Sequence, residues 1–445
     1  MRGLLLTVAL AALAGPGLAQ DIAVTNARLM TAGPAGEIAS GTVVIRGGRI
    51  TAVGPNAPVP AGVRVIDAGG RIVTPGLVST NSTLSVSEIE QYGEVNDISS
   101  ASPAVTAAFD IQYGVNPASV AIPVARLGGI TRAIVTPVPS GGVENHVHDM
   151  AGAEGAFSQN NQSLFGGTAA AIHLGGHTSD IVVRPNIAMV AALGDEGARL
   201  VGGSRGAAAV TLKATIDAVR DYQRNPNAFN RGETRDFGLS RADLEALIPV
   251  VQGRMPLVVS VSRASDIRNV LKLAREERLR LIIESGEEAH LVARELAAAN
   301  VPVILNPTAD LPSRFETQGV SLENAARLQR AGVTVAIAGD RTGHYARQTR
   351  YNAGIAVTNG LPMAEALKAI TINPARIYGV DDRFGSLEVG KDGDMVIWDG
   401  DPFEPMSQPT AVVIQGREQP LRSRQLDLRD RYMGAEGAMP RAYPR

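Results

Sequence analysis

The middle of the chain repeats one pattern. A short, wholly apolar run is followed by a stretch whose apolar residues recur every third or fourth position. MPLVVSVS (255–262) leads into ASDIRNVLKLAREER, and RLRLIIESG (278–286) into EEAHLVARELAAAN. VPVILNP (301–307) precedes LENAARLQRAG, and VTVAIAGD (333–340) precedes YARQTRYNAGIAVTNG. Runs apolar on both faces suit strands buried in a parallel sheet, and the longer period suits helices that cover it. GITRAIVTPVP (129–139) and GTAAAIHLGG (167–176) predict two further strands. GSRGAAAVTLKATIDAVRDYQRN (203–225) and SRADLEALIPVV (240–251) predict helices, the second opened by Ser240 and Asp243 at capping-box spacing. Repeated strand–helix units imply right-handed crossovers. Their number, over residues 74–380, predicts an α/β fold: a (β/α)8 TIM-type barrel, with an open doubly wound sheet as the alternative.

Both ends of the chain read differently. AVTNARLMTA, GTVVIRGGRITAVG and RVIDAGGRIVT are β-rich, and Gly47-Gly48 marks a two-residue hairpin. DMVIWDGDP and TAVVIQGREQ repeat that style, with Gly416 at a turn. Residues 20–73 and 381–420 therefore predict one small β-sheet (sandwich) domain built from both chain ends. Residues 421–445 predict a charged helix and a tail. The first twenty residues, MRGLLLTVALAALAGPGLAQ, combine a charged start at Arg2, an apolar run and the small-x-small triplet Gly17-Leu18-Ala19. That order predicts a cleaved signal peptide over 1–19 and a periplasmic or secreted protein. No later segment has the length and apolarity of a membrane span.

Composition narrows the chemistry. The 445 residues include no cysteine, which excludes disulfides, thiolate nucleophiles and thiolate metal sites. Lys and Arg total 42 against 44 Asp and Glu, and aromatics are 4%, so neither charge nor stacking points to nucleic acid. Dinucleotide, P-loop and GxSxG signatures are absent.

Three segments carry a resemblance: GGRIVTPGL (69–77), VTVAIAGD (333–340) and LKAITINPARIYGVDDRFGSLEVGKDGDMVIWDGDP (367–402). Together they resemble the amidohydrolase superfamily, and within it the imidazolonepropionase-like branch. The resemblance implies a hydrolase of non-peptide C–N bonds, with zinc or another divalent metal at the barrel mouth activating water. It places a His-x-His after TPGL, where this chain has Asn81, Ser82 and Thr83. The two later ligand histidines fall on Ser260 (with Ser262 two residues on) and Ser285, and a bridging lysine on Val190. Only the carboxylate of the last strand is retained, as Asp340. Neutral hydroxyls and amides are poor ligands for a transition metal. The expectation is therefore no metal by the family pattern, with Asn81, Thr83, Ser260, Ser285 and Arg314 of the LPSRFE loop lining a pocket for a small polar molecule.

Other residues keep a metal open. His146 and His148 form an H-x-H beside Glu144 and Asp149 in a Gly-rich loop, a spacing that can chelate. His173, at a strand end, and His344, four residues after Asp340, complete the candidate ligands. His177 reads as loop surface and His290 as an outer helical residue. Asp340 is the candidate base, or alternatively a helix cap. Two functions follow from different classes: an exported C–N hydrolase, or a non-catalytic barrel that binds a ligand or partner subunit. A homo-oligomer or a complex with a paralogue is open to either.

Overall fold

A computed structural model describes residues 21–88, 96–139, 163–176 and 179–433. The predicted signal peptide, His146, His148 and His177 lie outside the described residues. The sheet domain opens with β1 (Ile22–Met30), β2 (Glu37–Arg46), β3 (Arg49–Gly54), β4 (Arg64–Asp67) and β5 (Ile72–Pro75). The barrel strands follow as β6 (Leu77–Ser82), β7 (Ile130–Val135), β8 (Phe165–His173), β9 (Val182–Ala192), β10 (Leu257–Val261), β11 (Leu281–Ser285), β12 (Val303–Leu305) and β13 (Val335–Ile337). The chain then returns to the first sheet with β14 (Met395–Trp398), β15 (Pro409–Ile414) and β16 (Arg417–Gln419). The sheet domain has the order β16-β15-β14-β5-β1-β2-β3, with β4 paired to β1, so strands from both ends of the chain share one sheet. Gly47 and Gly48 make the β2–β3 turn with φ of +55° and +81°, a conformation glycine adopts without strain.

The helical layer consists of α1 (Ala121–Arg126), α2 (Gly194–Leu200), α3 (Arg205–Arg224), α4 (Pro226–Asn230), α5 (Arg241–Val251), α6 (Ala264–Glu277), α7 (Ala293–Ala298), α8 (Asn324–Arg330), α9 (Thr349–Thr358), α10 (Met363–Ala369) and α11 (Ile372–Ile377). Beyond the second sheet segment, α12 (Arg424–Met433) buries no residue. The Ser240 hydroxyl accepts the Asp243 amide at 3.1 Å, the N-cap bond its spacing predicts. Among the described residues no helix is long and apolar enough to cross a membrane.

The barrel sheet runs β6 to β13 in chain order. The loop after β13 folds back on β6, where the Thr83 amide donates to the Arg341 carbonyl at 2.8 Å. One expectation needs correcting, because the sheet is not wholly parallel. β8 pairs antiparallel with both β7 and β9. Only a short connection joins β8 to β9, too short for a crossover helix, so the third strand must run in reverse. The remaining neighbours are parallel.

Side-chain alternation decides what points inward. Val78, Ile134, Ala169, Val190, Val258, Ile282, Ile304 and Ala336 share one buried cluster inside the barrel. Ala375, Ile377, Tyr378 and Phe384 plug it from the floor. Advancing two residues along β6, β7, β10 and β11 reaches Thr80, Thr136, Ser260 and Glu284, where the apolar lining gives way to polar groups.

Candidate functional site at the barrel mouth

Glu284 stands at the centre of this polar layer. It pairs in register with Ser260 of β10. Inward-facing Ile282 therefore puts Glu284 inward as well, one position before the Ser285 expected from the sequence. Ser285 leaves the alternation with φ of +73° and brings its hydroxyl to 3.4 Å from that of Ser260. Glu284 is buried, and its Oε1 accepts a hydrogen bond from Asn81 Nδ2. Asn81, itself at φ +53°, accepts from the Thr136 hydroxyl at 2.9 Å. Arg341 closes the ring. Its NH2 donates to Thr136 Oγ1 at 3.0 Å and to the Pro137 carbonyl at 3.3 Å, and lies 3.9 Å from Glu284 Oε1. The Arg341 Nε is buried and has no protein partner.

Burial pushes the Glu284 carboxyl above its ordinary pKa, against the opposing pull of Arg341 and Asn81. Glu196, on the first turn of α2, is raised for the same reason, with Ser260 and Arg341 opposing and Glu284 adding to the rise. Beneath them lie the buried hydroxyls of Thr80 and Tyr378, which face each other. Burial holds the Tyr378 phenol above its usual range, and the Glu284 charge adds to the effect.

Thr83 and Asp340 hold the loop that carries Arg341. Thr83 Oγ1 donates to the Arg341 carbonyl at 3.2 Å and accepts the Gly343 amide at 3.1 Å. Asp340 accepts the Thr342 amide at 2.9 Å, and its side chain is otherwise exposed at the rim. A Cβ at position 343 would sit 2.9 Å from the Leu84 Cα, so the loop approaches β6 this closely only with glycine there. His344 is also exposed, its ring 4.1 Å from that of Tyr345. Asn306 accepts from the Thr308 amide and hydroxyl and from Asn352 Nδ2, which makes it a loop cap.

A second polar cluster borders the mouth. Arg314 NH2 donates to the Ser262 hydroxyl at 3.4 Å and lies 3.6 Å from Glu287. Asp310, at the base of the same loop, is buried. One oxygen accepts from Asn324 at 3.2 Å and the other has no partner. Burial raises its carboxyl to about 8, with Glu287 adding to the rise.

His173 belongs elsewhere. Because β8 runs in reverse, its C-terminal residue lies at the barrel floor, paired with Arg132 near the start of β7. Its ring accepts the Gly175 amide at 3.1 Å and lies 3.2 Å from the Asp180 carbonyl. Of the predicted pocket residues, Asn81, Ser260 and Ser285 come together, Thr83 and Asp340 support the adjoining loop, and Arg314 sits beside them. Sequence reasoning missed Glu284, Glu196, Arg341, Thr136 and Tyr378. The signal for Glu284 was there, as a carboxylate inside an apolar strand run.

The donor set does not fit a transition-metal centre. Its members are an amide, hydroxyls and two carboxyls, Glu284 already engaged by Asn81 and facing a guanidinium, and Glu196 held by Ser260. Val190, where the resemblance places lysine, pairs with Val258 in the apolar layer below Ser260. Among the described residues no three His, Asp or Glu side chains come together to hold an ion.

The Amidohydrolase family model matches residues 251–420. The amidohydrolase tasK of Hapsidospora irregularis is 25% identical over 415 residues, covering 85% of this chain and 40% of that protein. An imidazolonepropionase of Syntrophobacter fumaroxidans is 34% identical over 161 residues, 32% of this chain and 38% of its own. Each of these matches spans less than half of the relative's length. The crystal structure of an amidohydrolase from Thermotoga maritima MSB8 superposes with a TM-score of 0.77 at 25% identity, over 90% of this chain and 100% of that one. With the barrel, the two-ended sheet and these matches, the chain belongs to the amidohydrolase superfamily.

Proposed function

We propose that this protein is an exported hydrolase of non-peptide C–N bonds, amide or cyclic amide, in which mouth carboxyls rather than a metal ion move the protons. One observation carries the reading: two carboxyls with raised pKa, Glu284 and Glu196, meet an arginine at the tips of the barrel strands, where this architecture places its chemistry. Glu284 takes a proton from water as the oxygen bonds to the carbonyl carbon. Arg341 stabilises the resulting oxyanion with its unpartnered Nε–H. Glu196 gives a proton to the nitrogen as the C–N bond breaks, leaving a carboxylic acid and an amine. Ser260 and Ser285 hold the substrate's polar edge, and Arg314 lines the outer rim. Thr83 and Asp340 act as positioning residues for Arg341. The family relationship supports the reaction class, and the neutral residues at the expected ligand positions support the loss of the usual metal. The N-terminal charged, apolar and small-residue order supports export.

A specific observation favours a second reading. Asn81, Thr136, Glu284 and Arg341 largely satisfy one another, as they would in a barrel that binds a polar ligand or a partner without turning it over. The purified mature chain separates the two readings when screened against cyclic amides, N-acyl amino acids and dipeptides, with bound Zn, Mn and Fe measured in parallel. Turnover without stoichiometric metal supports the hydrolase, whereas ligand binding without turnover supports the second reading. Asp340→Ala tests the assignment of the base. It is expected to keep turnover within about tenfold, since a single positioning bond is worth about 1 kcal/mol. A far larger fall in a folded variant would return the role of base to Asp340.

A further inference from the structure

On the far side of the barrel the helical layer is thin. α6 runs for 14 residues, but α7 for only six after a short 3-10 turn. Between them, at the lower ends of β10, β11 and β12, opens a groove of about 1100 Å³. Six of its lining residues are cationic: Arg268, Lys272, Arg275, Arg278, Arg280 and Arg376; Glu295 is the one carboxylate. This is a local excess in a chain whose formal net charge is −2. Glu295 is already paired with Arg268 at 3.0 Å. Arg275, Arg278, Arg280 and Arg376 are exposed and form no salt bridge among the described residues; Glu276 and Glu388 act on Arg275 and Arg376 only at longer range, and Arg280 donates to the Arg254 carbonyl at 3.2 Å. The rest of the lining is largely aliphatic, including Leu271, Ile282 and Val301.

We propose that this groove docks an acidic polypeptide segment of a partner protein, with aliphatic side chains interleaved among its carboxylates. Four guanidiniums outside any salt bridge offer forked donors to carboxylates, and the apolar lining takes the aliphatic groups between them. The groove is concave, which a flat bilayer surface cannot enter. It contains no aromatic side chain on which bases could stack. Its size exceeds the usual range for one small ligand. The groove lies at the opposite end of the barrel from Glu284, so the proposal is independent of any catalysis there.

Fluorescence anisotropy with the purified full chain tests this, using a labelled peptide of alternating Glu and Leu, a labelled oligo-dT and phosphatidylglycerol vesicles. The peptide is expected to bind with an affinity that falls as salt rises. Combined Arg275→Glu, Arg278→Glu and Arg280→Glu should weaken it at least about tenfold with an unchanged melting curve, because these side chains are exposed. Arg376→Gln, which removes one donor without reversing charge, should weaken it by about threefold. The proposal is overturned if the peptide fails to bind, if charge reversal leaves its affinity unchanged, or if oligo-dT or the vesicles bind as tightly as the peptide.

Discussion

The barrel has buried charge at both ends, and the two ends use it differently. At the floor, Arg132 of β7 is fully buried and donates from Nε to Asp394 at 2.5 Å and from NH2 to Asp392 at 2.9 Å. Asp392 is also met by Arg383 at 3.2 Å, and Asp394 accepts the Gln415 amide at 2.8 Å. The guanidinium lies 5.0 Å from the centroid of Phe384. Trp398 of the sheet domain packs where a Cβ on Gly129 would approach within 2.7 Å. These contacts bind barrel to sheet. At the mouth, Glu284 has an amide partner and an arginine 3.9 Å away, Arg341 Nε has no protein partner, and the Thr80 and Tyr378 hydroxyls have only each other. Buried polar atoms without a partner occur at both ends, Arg132 NH1 and Thr131 Oγ1 at the floor among them, so what sets the mouth apart is two carboxyls with raised pKa beside a guanidinium.

The comparison breaks first at the floor. Arg132→Met should destabilise the protein by roughly 3–5 kcal/mol in urea unfolding, because it leaves two aspartates buried with fewer partners. A loss under 1 kcal/mol would mean the floor network is no more structural than the mouth. At the mouth, Glu284→Gln should leave unfolding nearly unchanged while turnover falls by about 10²-fold or more, the usual contribution of a proton-transfer group. Equal loss of folding and turnover would erase the distinction between the two ends.

Asp310 sharpens the comparison through pH. Its folded carboxyl is raised to about 8, above its unfolded value. The native state therefore holds a proton that the unfolded chain has released. The stabilisation is full below the unfolded pKa and is lost as pH rises toward about 8, with a slope of about 1.4 kcal/mol per unit. Asp310→Asn should remove that part of the slope, measured as unfolding free energy from pH 5 to 8. Glu284 and Glu196, raised in the same direction, contribute with the same sign. The smallest effect is expected at Tyr378→Phe. Removing a buried hydroxyl whose protein neighbour is the Thr80 hydroxyl should change stability by no more than about 1 kcal/mol, while lowering turnover or ligand affinity severalfold. A clear drop in stability would show that the hydroxyl is structural.

Much of the architecture was legible in the linear chain because its signals are local. The apolar runs became β10 to β13, Ser240 capped its helix, and Gly47-Gly48 turned the first hairpin. The reversed β8 was not legible. GTAAAIHLGG is apolar in either direction, and only the length of the following connection betrays its sense. The same reversal moved His173 from the candidate mouth to the floor. At the site, resemblance led to Ser285, whereas pairing with Ser260 turned Glu284 inward. Arg341 was passed over because nothing in its neighbours along the chain says that its guanidinium crosses to Thr136 and Glu284.

The sequence by itself determined the class of fold, the two-ended sheet and the family, since hydrophobic period, turn residues and motif strings are written in consecutive residues. Tertiary structure alone decided which polar groups share the mouth and which carboxyls have raised pKa values. Residues some two hundred positions apart meet there, such as Asn81 with Glu284, and the burial that shifts a carboxyl exists only once the strands have closed around it.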